Sequence, residues 1–333
     1  MSRTFAIDLA GDTFRLNGDP FQWRRIMRAM RAAGLNALST YVEWGSHEVH
    51  SGHYHYDGHR DIEHFLQLAV EEDLYILLRP GPFICGERDF GCFPPWSLKV
   101  APDILLRQNH PVYQRYVTRW FQELFPRIQK CLYGNGGPII LVQVENEYAS
   151  DAKCDPTHTA WLRDLLRTYV QDKAVLYSTD GAFDAYLRCA VDGVYSTFDF
   201  TVFKDVNVSF QAQRMRAPQG PLVNVEFYIG WLTHWGDRFV EVVPTELVLQ
   251  SPTEMLELGA SVNMFFGGSN FGFMSGANVN VDGRYVPCLT SYDYDAPLRD
   301  STEKYFAIRD VLGRYFLLPN SPLPMASPKG EKN

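Results

Sequence analysis

From residue 22 onward, short apolar runs rich in Val, Ile, Leu and Phe alternate with stretches whose apolar residues recur every three or four positions. The first kind predicts buried strands and the second amphipathic helices. Residues 22–33 form an amphipathic stretch with Ile26, Met27 and Met30 on one face, and Gly34 follows as a natural cap. Further helices are expected over 62–72, 112–132, 159–171, 245–258 and 302–317, with a helix-like stretch before residue 221. The strand-like runs are LNALSTYVEW (35–44), LYILLRPGPF (74–83), PIILVQVENEY (138–148), AVLYSTDGA (174–182), GVYSTFDF (193–200), PLVNVEFYIGW (221–231) and SVNMFFGG (261–268). Continuously apolar strands separated by helices predict a parallel sheet covered on both faces, and the regular rhythm suits a (β/α) barrel. An open doubly-wound sheet is the competitor, but no G-x-G-x-x-G or G-x-x-x-x-G-K-[ST] run follows any strand.

The strand count is seven, where a closed barrel of this type has eight. The chain enters its first helix before any barrel strand has appeared. Residues 1–21 instead read as a hairpin, with FAIDL and TFRL strand-like and Asn17-Gly18 a favoured turn pair. Residues 22–318 form the expected barrel domain. The Pro- and Lys-rich run 319–333 reads as a tail.

Composition narrows the function classes. The 333 residues are 46% hydrophobic, enough for a substantial core. Aromatic residues make up 14%, which suits either a large α/β core or sugar subsites, whose pyranose C–H faces stack on rings. Net charge is −8 with no basic run, so nucleic acid is not an expected partner. No apolar stretch reaches membrane-span length, and the first residues carry no apolar signal segment. Six cysteines occur without a C-x-x-C pair, and nine histidines without H-E-x-x-H spacing. His47, His50, His53 and His55 cluster loosely, and no metal or other cofactor is expected. Asn207-Val208-Ser209 is an N-glycosylation sequon.

In a barrel, chemistry sits at the C-terminal ends of the strands. Those ends hold Tyr41 and Glu43; Arg79, then Cys85, Gly86 and Glu87; Asn146 and Glu147; Asp180; Asp199; and Glu226 with Tyr228. Glu147 and Glu226 each follow several apolar residues, so each is expected to emerge from the core at one rim. Hydrolysis of a glycoside with retention needs such a pair, about 5–5.5 Å apart, one protonated and one ionised. Strand alternation would point Glu145 and Glu147 to the same side, so periodicity does not choose between them.

VQVENEY (142–148) and VEFYIGWLTHWG (225–236) resemble the acid/base and nucleophile segments of family 35 glycoside hydrolases, the β-galactosidases. TYVEWGSHE (40–48), ILLRPGPFIC (76–85), LYGNGGPII (132–140), STDGA (178–182), FFGGSNFGF (265–273) and TSYDYDAPL (290–298) are similar too, in family order. The resemblance implies a (β/α)8 TIM barrel and a retaining exo-β-galactosidase. Glu147 would be the acid/base, Glu226 the nucleophile, and Asn146 would hold the sugar 2-hydroxyl. Tyr41, Glu87 and Tyr294 would bind galactose hydroxyls, with the backbone of Cys85 and Gly86 beside the sugar and Tyr228 and Trp231 around the pocket. It further implies a Cys154–Cys189 disulfide, glycosylation at Asn207, galactose-terminated glycans or glycolipids as substrates, and a lysosomal or secreted setting.

This sequence departs from the family pattern at several points. The family's first barrel strand and its loop, expected between Phe21 and Trp23, are absent, which accounts for the count of seven. A pocket Tyr-Met pair is missing at Asn263-Met264, and a further gap lies near Arg299-Asp300. Members often carry Ala where Gly86 stands, and C-terminal β-rich domains that have no counterpart here. The alternative expectation is therefore a catalytically impaired galactoside-binding or truncated family member.

Overall fold

Apolar runs and amphipathic runs alternate in space as they do along the chain. The computed structural model describes residues 5–8, 13–16, 19–20, 23–182, 188–228, 232–238, 243–262, 274–279, 282–290, 303–320 and 323. The chain opens with β1 (Phe5–Asp8), β2 (Thr13–Leu16) and β3 (Asp19–Pro20), an antiparallel sheet in which Phe5 faces Leu16, and Leu16 faces Asp19. The expected hairpin is thus present and gains a short third strand.

The elements that follow are α1 (Trp23–Ala32), β4 (Ala37–Tyr41), α2 (Trp44–His47), α3 (Ile62–Glu71), β5 (Tyr75–Arg79), α4 (Trp96–Val100), α5 (Pro111–Ile128) and β6 (Ile139–Gln143). Next come α6 (Pro156–Val170), β7 (Val175–Gly181), β8 (Tyr195–Thr201), α7 (Val206–Arg216), β9 (Val223–Tyr228), β10 (Thr233–His234), α8 (Thr245–Glu257) and β11 (Ser261–Val262). The series ends with β12 (Ala277–Val279), β13 (Tyr285–Thr290) and α9 (Glu303–Tyr315). Helix starts are chemically marked. Pro111 and Pro156 occupy the first positions of α5 and α6. Asp61, Asp155 and Asp205 accept backbone N–H groups at the starts of α3, α6 and α7.

The main sheet runs β11-β9-β8-β7-β6-β5-β4, and every pairing is parallel. These are the seven strands expected from the pattern: six of five to seven residues, and a two-residue seventh. The sheet curls into an incomplete (β/α) barrel, open between β4 and β11 among the described residues. Among the described residues the N-terminal strands form a sheet of their own that pairs with neither edge.

Helices close what strands leave open. Met30 and Ala33, in and just after α1, pack with Tyr305 of α9, whose hydroxyl donates to the Ala29 carbonyl at 2.8 Å. Arg309 of α9 donates to the Ala32 carbonyl at 3.1 Å. The first and last helices therefore meet directly. On its other flank α1 is tied to the end of α3 by Arg24, Arg28 and Arg31, which pair with Glu71, Glu72 and Asp73.

The largest core lies between β4–β7 and the helices covering them, centred on Trp120, Phe121, Phe125 and Tyr113 of α5. Each fully buried large apolar side chain contributes on the order of 1.5–3 kcal/mol. A smaller core, with Phe200, Phe210, Phe227 and Met255, fills the β8–β9 side. A three-stranded antiparallel sheet of β10, β13 and β12 adds to the rim. The sequence pattern did not suggest it.

One strand is shorter than expected. The run 138–148 is strand only to Gln143, because Glu145 and Glu147 both adopt left-handed backbone conformations (φ 60° and 43°). Positive φ breaks the two-residue alternation on which the same-side expectation rested.

Candidate active site

The C-terminal ends of β4, β5, β6 and β9 converge on Arg79. This residue ends β5 after the buried Ile76, Leu77 and Leu78, and it is itself buried. Its Nε donates to Gln143 Oε1 at 2.5 Å, and its Nη2 donates to both Asn146 Oδ1 and Glu226 Oε1. The Tyr41 ring lies against the guanidinium, 4.0 Å from its carbon. Arg79 thus joins residues from four strands or strand ends. Taking a guanidinium out of water is costly unless its donors are filled, and carboxylate and amide oxygens fill them here.

Asn146 and Glu147 follow β6 in a tight turn. Asn146 Oδ1 also accepts from Gln143 Nε2 at 2.9 Å, and its Nδ2 donates to Glu147 Oε2 at 3.3 Å. The Glu147 backbone N–H donates to the Thr179 carbonyl of β7 at 3.0 Å, and the Asp180 carboxylate accepts from Ala149 N at 2.9 Å. Burial, and next the charge of Glu226, push the Glu147 carboxyl up to about 7. Those two causes place Glu147 in the desolvated field of the second carboxylate.

Glu145 has the opposite fate. Its Oε2 accepts from Arg107 Nη2 at 2.9 Å and Nε at 3.2 Å, and its Oε1 pairs with His158 Nε2 at 2.9 Å. Burial would raise its pKa, but the Arg107 charge and the His158 hydrogen bond outweigh it and hold the carboxyl down at about 2. The tertiary structure thereby separates the two glutamates that periodicity left equivalent.

Glu226 lies within β9, in register with Asp199 of β8. Asp199 is buried, accepts from Thr179 Oγ1 at 3.1 Å, and is pushed well above the usual carboxylate range by burial and by Glu147 and Glu226. Asp180 is likewise raised, to about 7, chiefly by burial.

The β5–α4 connection borders the same space. The Tyr41 hydroxyl donates to the Cys85 carbonyl at 2.9 Å. The Cys85 thiol is pushed up by burial and then by Glu147. A Cβ added at Gly86 would meet the Tyr41 ring and Arg88 at 3.7 Å, an ordinary contact, so alanine would fit there. Glu87 adopts φ 51°, and its carbonyl accepts from Gly276 N at 2.7 Å. Its segment is thereby tied to the strands beyond β11.

Tyr228 ends the backbone of β9, and its side chain lies outside the described residues, as do Trp231 and Tyr294. Cys154 and Cys189 form a disulfide. Asn207 is exposed in the first turn of α7. His47 is buried, its ring nitrogens against the Glu43 and Arg60 carbonyls. Among the described residues no group of three or more His, Cys, Asp or Glu is placed to hold a metal ion. No helix among them is long and apolar enough to cross a membrane.

The sequence pattern marked Arg79 as a strand-end residue without giving it a role, and it passed over Gln143, Arg107 and His158. Gln143 carried a signal, being the one polar residue in the run IILVQV. Arg107 and His158 carried none, since nothing local ties them to Glu145.

Residues 7–315 match the family model for glycosyl hydrolases family 35. The chain belongs to that family. Among its relatives are the β-galactosidases of Bos taurus, 43% identical, and Homo sapiens, 42% identical, each over 98% of this chain. A β-galactosidase-1-like protein of Mus musculus is 42% identical over the same share. The chain spans about half the length of these relatives: 52%, 50% and 53%. The match to the bovine protein runs over 348 positions, more than the 333 residues of this chain, so the relative carries residues inside the matched region that this family member lacks.

Solved structures give the same fold. A β-galactosidase from Rahnella sp. R3 superposes with a TM-score of 0.61 at 14% identity, over 89% of this chain and 53% of its own. A family 5 enzyme (GH5_18) from Streptomyces cattleya gives 0.60 at 14%, over 93% of this chain and 80% of its own. Family 35 membership and a barrel fold shared with these glycosidases are therefore both in hand, and among the described residues the barrel is incomplete.

Proposed function

We propose that this chain hydrolyses terminal β-linked galactose from glycoconjugates with retention, Glu147 acting as acid/base and Glu226 as nucleophile. The observation that carries the reading is the split between the two carboxyls. Burial and the neighbouring charge keep the Glu147 carboxyl protonated up to about pH 7, while Glu226 takes a guanidinium donor from Arg79. A proton donor beside a charge-paired carboxylate is the arrangement double displacement requires.

In the first step Glu147 gives its proton to the glycosidic oxygen as a Glu226 oxygen attacks the anomeric carbon. The C1–O bond breaks, and the alcohol departs with the proton. In the second step Glu147, now ionised, takes a proton from water. The resulting hydroxyl displaces Glu226 from C1, releasing galactose and restoring both carboxyls. Asn146 Nδ2 is the donor for the sugar 2-hydroxyl. Tyr41, the backbone at Cys85 and Gly86, Glu87, Tyr228, Trp231 and Tyr294 complete the pocket. A folded protein that liberates nitrophenol from a nitrophenyl β-galactoside, with β-galactose as the first anomer seen by NMR, supports this reading. Turnover no faster than that of Glu226→Gln overturns it.

One observation favours a second reading. The main sheet is open between β4 and β11 among the described residues, and an unpaired sector can leave the two carboxyls misplaced. A galactoside-binding protein without turnover would then show a calorimetric binding isotherm for galactose and no nitrophenol release. The Cys154–Cys189 bond and the exposed Asn207 sequon support an oxidising route to a lysosomal or secreted destination, with Asn207 carrying a glycan.

A further inference from the structure

Arg107 sits between α4 and α5, with no place in the pocket as described above. Its backbone is left-handed (φ 53°), and its side chain is largely buried. The guanidinium makes three kinds of contact on one short segment. It binds the Glu145 carboxylate through two nitrogens, donates to the Asn146 carbonyl at 2.6 Å, and lies 3.7 Å from Asp151. Its faces meet two rings, with Phe83 3.9 Å and Tyr148 5.2 Å from the guanidinium carbon. The Tyr148 hydroxyl in turn donates to the Arg107 carbonyl at 2.6 Å. Phe83 belongs to the segment that leads to Cys85, and residues 145–151 are the segment that carries Glu147.

We propose that Arg107 is the positioning residue for the acid/base: it clamps residues 145–151 to the Phe83–Cys85 segment and so fixes the direction in which Glu147 presents its proton. This rests on the proposed roles of Glu147 and Glu226. The reason is backbone strain. Glu145 and Glu147 both hold positive φ, a region that is unfavourable for a residue other than glycine. Such a turn persists only where its surroundings over-determine it. The Asn146 carbonyl between the two strained residues is held by Arg107, and the Glu147 N–H by the Thr179 carbonyl. Without Arg107 the turn can relax, moving the Glu147 carboxyl while leaving Glu226 on its strand. A misplacement of about 1 Å costs on the order of 10²-fold in rate.

The test compares Arg107→Gln, Arg107→Lys and the double variant Arg107→Gln with Glu145→Gln. The double variant leaves no unpaired buried charge and keeps the test available if the single variant fails to fold. An alkyl β-galactoside needs the acid, whereas a dinitrophenyl β-galactoside has a leaving group that does not. The expected result is a kcat loss of about 10- to 100-fold on the alkyl substrate, with KM nearly unchanged. The dinitrophenol burst should persist, and added azide should restore its turnover. Arg107→Lys should show the same pattern more weakly, since an ammonium cannot reproduce the planar fork. Equal losses on both substrates, or a lowered Tm with unchanged kcat, overturn the proposal.

A second measurement needs no activity. Hydrogen exchange should speed at residues 145–151 in the variants, and not across α6. Unchanged exchange at 145–151 overturns the proposal as well. If the wild type turns over neither galactoside, the functional reading fails, and the exchange measurement still decides the clamp.

Discussion

On one side of Asn146 the Glu145 carboxyl lies among Arg107, His158 and the Asn146 N–H, and it is held down at about 2. On the other side Glu147 accepts from Asn146 Nδ2, and burial and the charge of Glu226 push its carboxyl up to about 7. Two identical side chains, two residues apart, are thus prepared for opposite tasks. The first region satisfies every charge it buries, and its product is a fixed backbone. The second keeps a proton on its acid up to about pH 7, and on the proposed reading that proton is the one given to the substrate. Stability is concentrated in the first region and given up in the second, as the proposed function would require of a site held away from its own optimum.

The largest effect should come from removing the carboxylate opposite Glu147. Glu226→Gln is expected to lower kcat on a nitrophenyl β-galactoside by about 10³-fold or more, because no covalent intermediate can form. Steady-state kinetics with mass-spectrometric search for the glycosyl adduct checks this. Glu147→Gln should cost about 10²- to 10⁴-fold on an alkyl galactoside and far less on the dinitrophenyl substrate in the first step. A loss independent of leaving group would assign the acid elsewhere and dissolve the contrast.

The pH dependence follows from the same comparison. The acid must be protonated, so kcat/KM should fall as pH rises through about 7. Stability should show the two glutamates with opposite sign. Glu145 has a depressed folded pKa, so its stabilisation is present above about 4.5 and is lost as pH falls toward about 2. Glu147 has a raised folded pKa, so the protein loses stability as pH rises from about 4.5 to about 7. Glu145→Gln should therefore destabilise the protein at pH 7, by about 3–5 kcal/mol, since the buried Arg107 guanidinium loses its anion. Glu147→Gln should raise Tm at pH 8, by an increment of about 1–3 kcal/mol that vanishes near pH 4.5. Thermal unfolding across pH 3–8 reads both, and shifts of the same sign would break the comparison.

The disulfide gives a smaller effect on the same segment. Cys154 follows the Glu147 turn, and Arg188, beside Cys189, donates to the Ala149 and Asp151 carbonyls. Cys154→Ser opens a loop of separation 35, worth about 2–4 kcal/mol. Chemical denaturation should show that loss, with turnover at 25 °C falling less than tenfold.

Much of this was legible before folding was considered. All seven parallel strands and the major helices were marked by their periodicity, because burial of one face or both leaves a local trace in residue choice. The count of seven was legible for the same reason, no further apolar run standing ahead of α1, and the described residues hold the same seven parallel strands. The rim sheet of β10, β12 and β13 was not, since β10 and β12 have only two and three residues and much of β13 is exposed or half-buried. The Glu147 and Glu226 segments could be named from sequence, but the choice of Glu147 over Glu145 came only from the resemblance to family 35. Pocket positions at Trp231 and Tyr294 fall outside the described residues.

The sequence by itself determined the alternation of strand and helix, the number of strands, and the strand ends at which carboxylates emerge. Each of these depends on neighbours within a few residues. Only the tertiary structure decided that Arg79 and Glu226, 147 residues apart, share a hydrogen bond, and that Arg107 reaches back to clamp the turn at Asn146. It also decided that α1 and α9 meet, at the side where the strand order of the described residues is open. Those contacts depend on the curl of the sheet and on two strained backbone residues, and neither leaves a periodic trace along the chain.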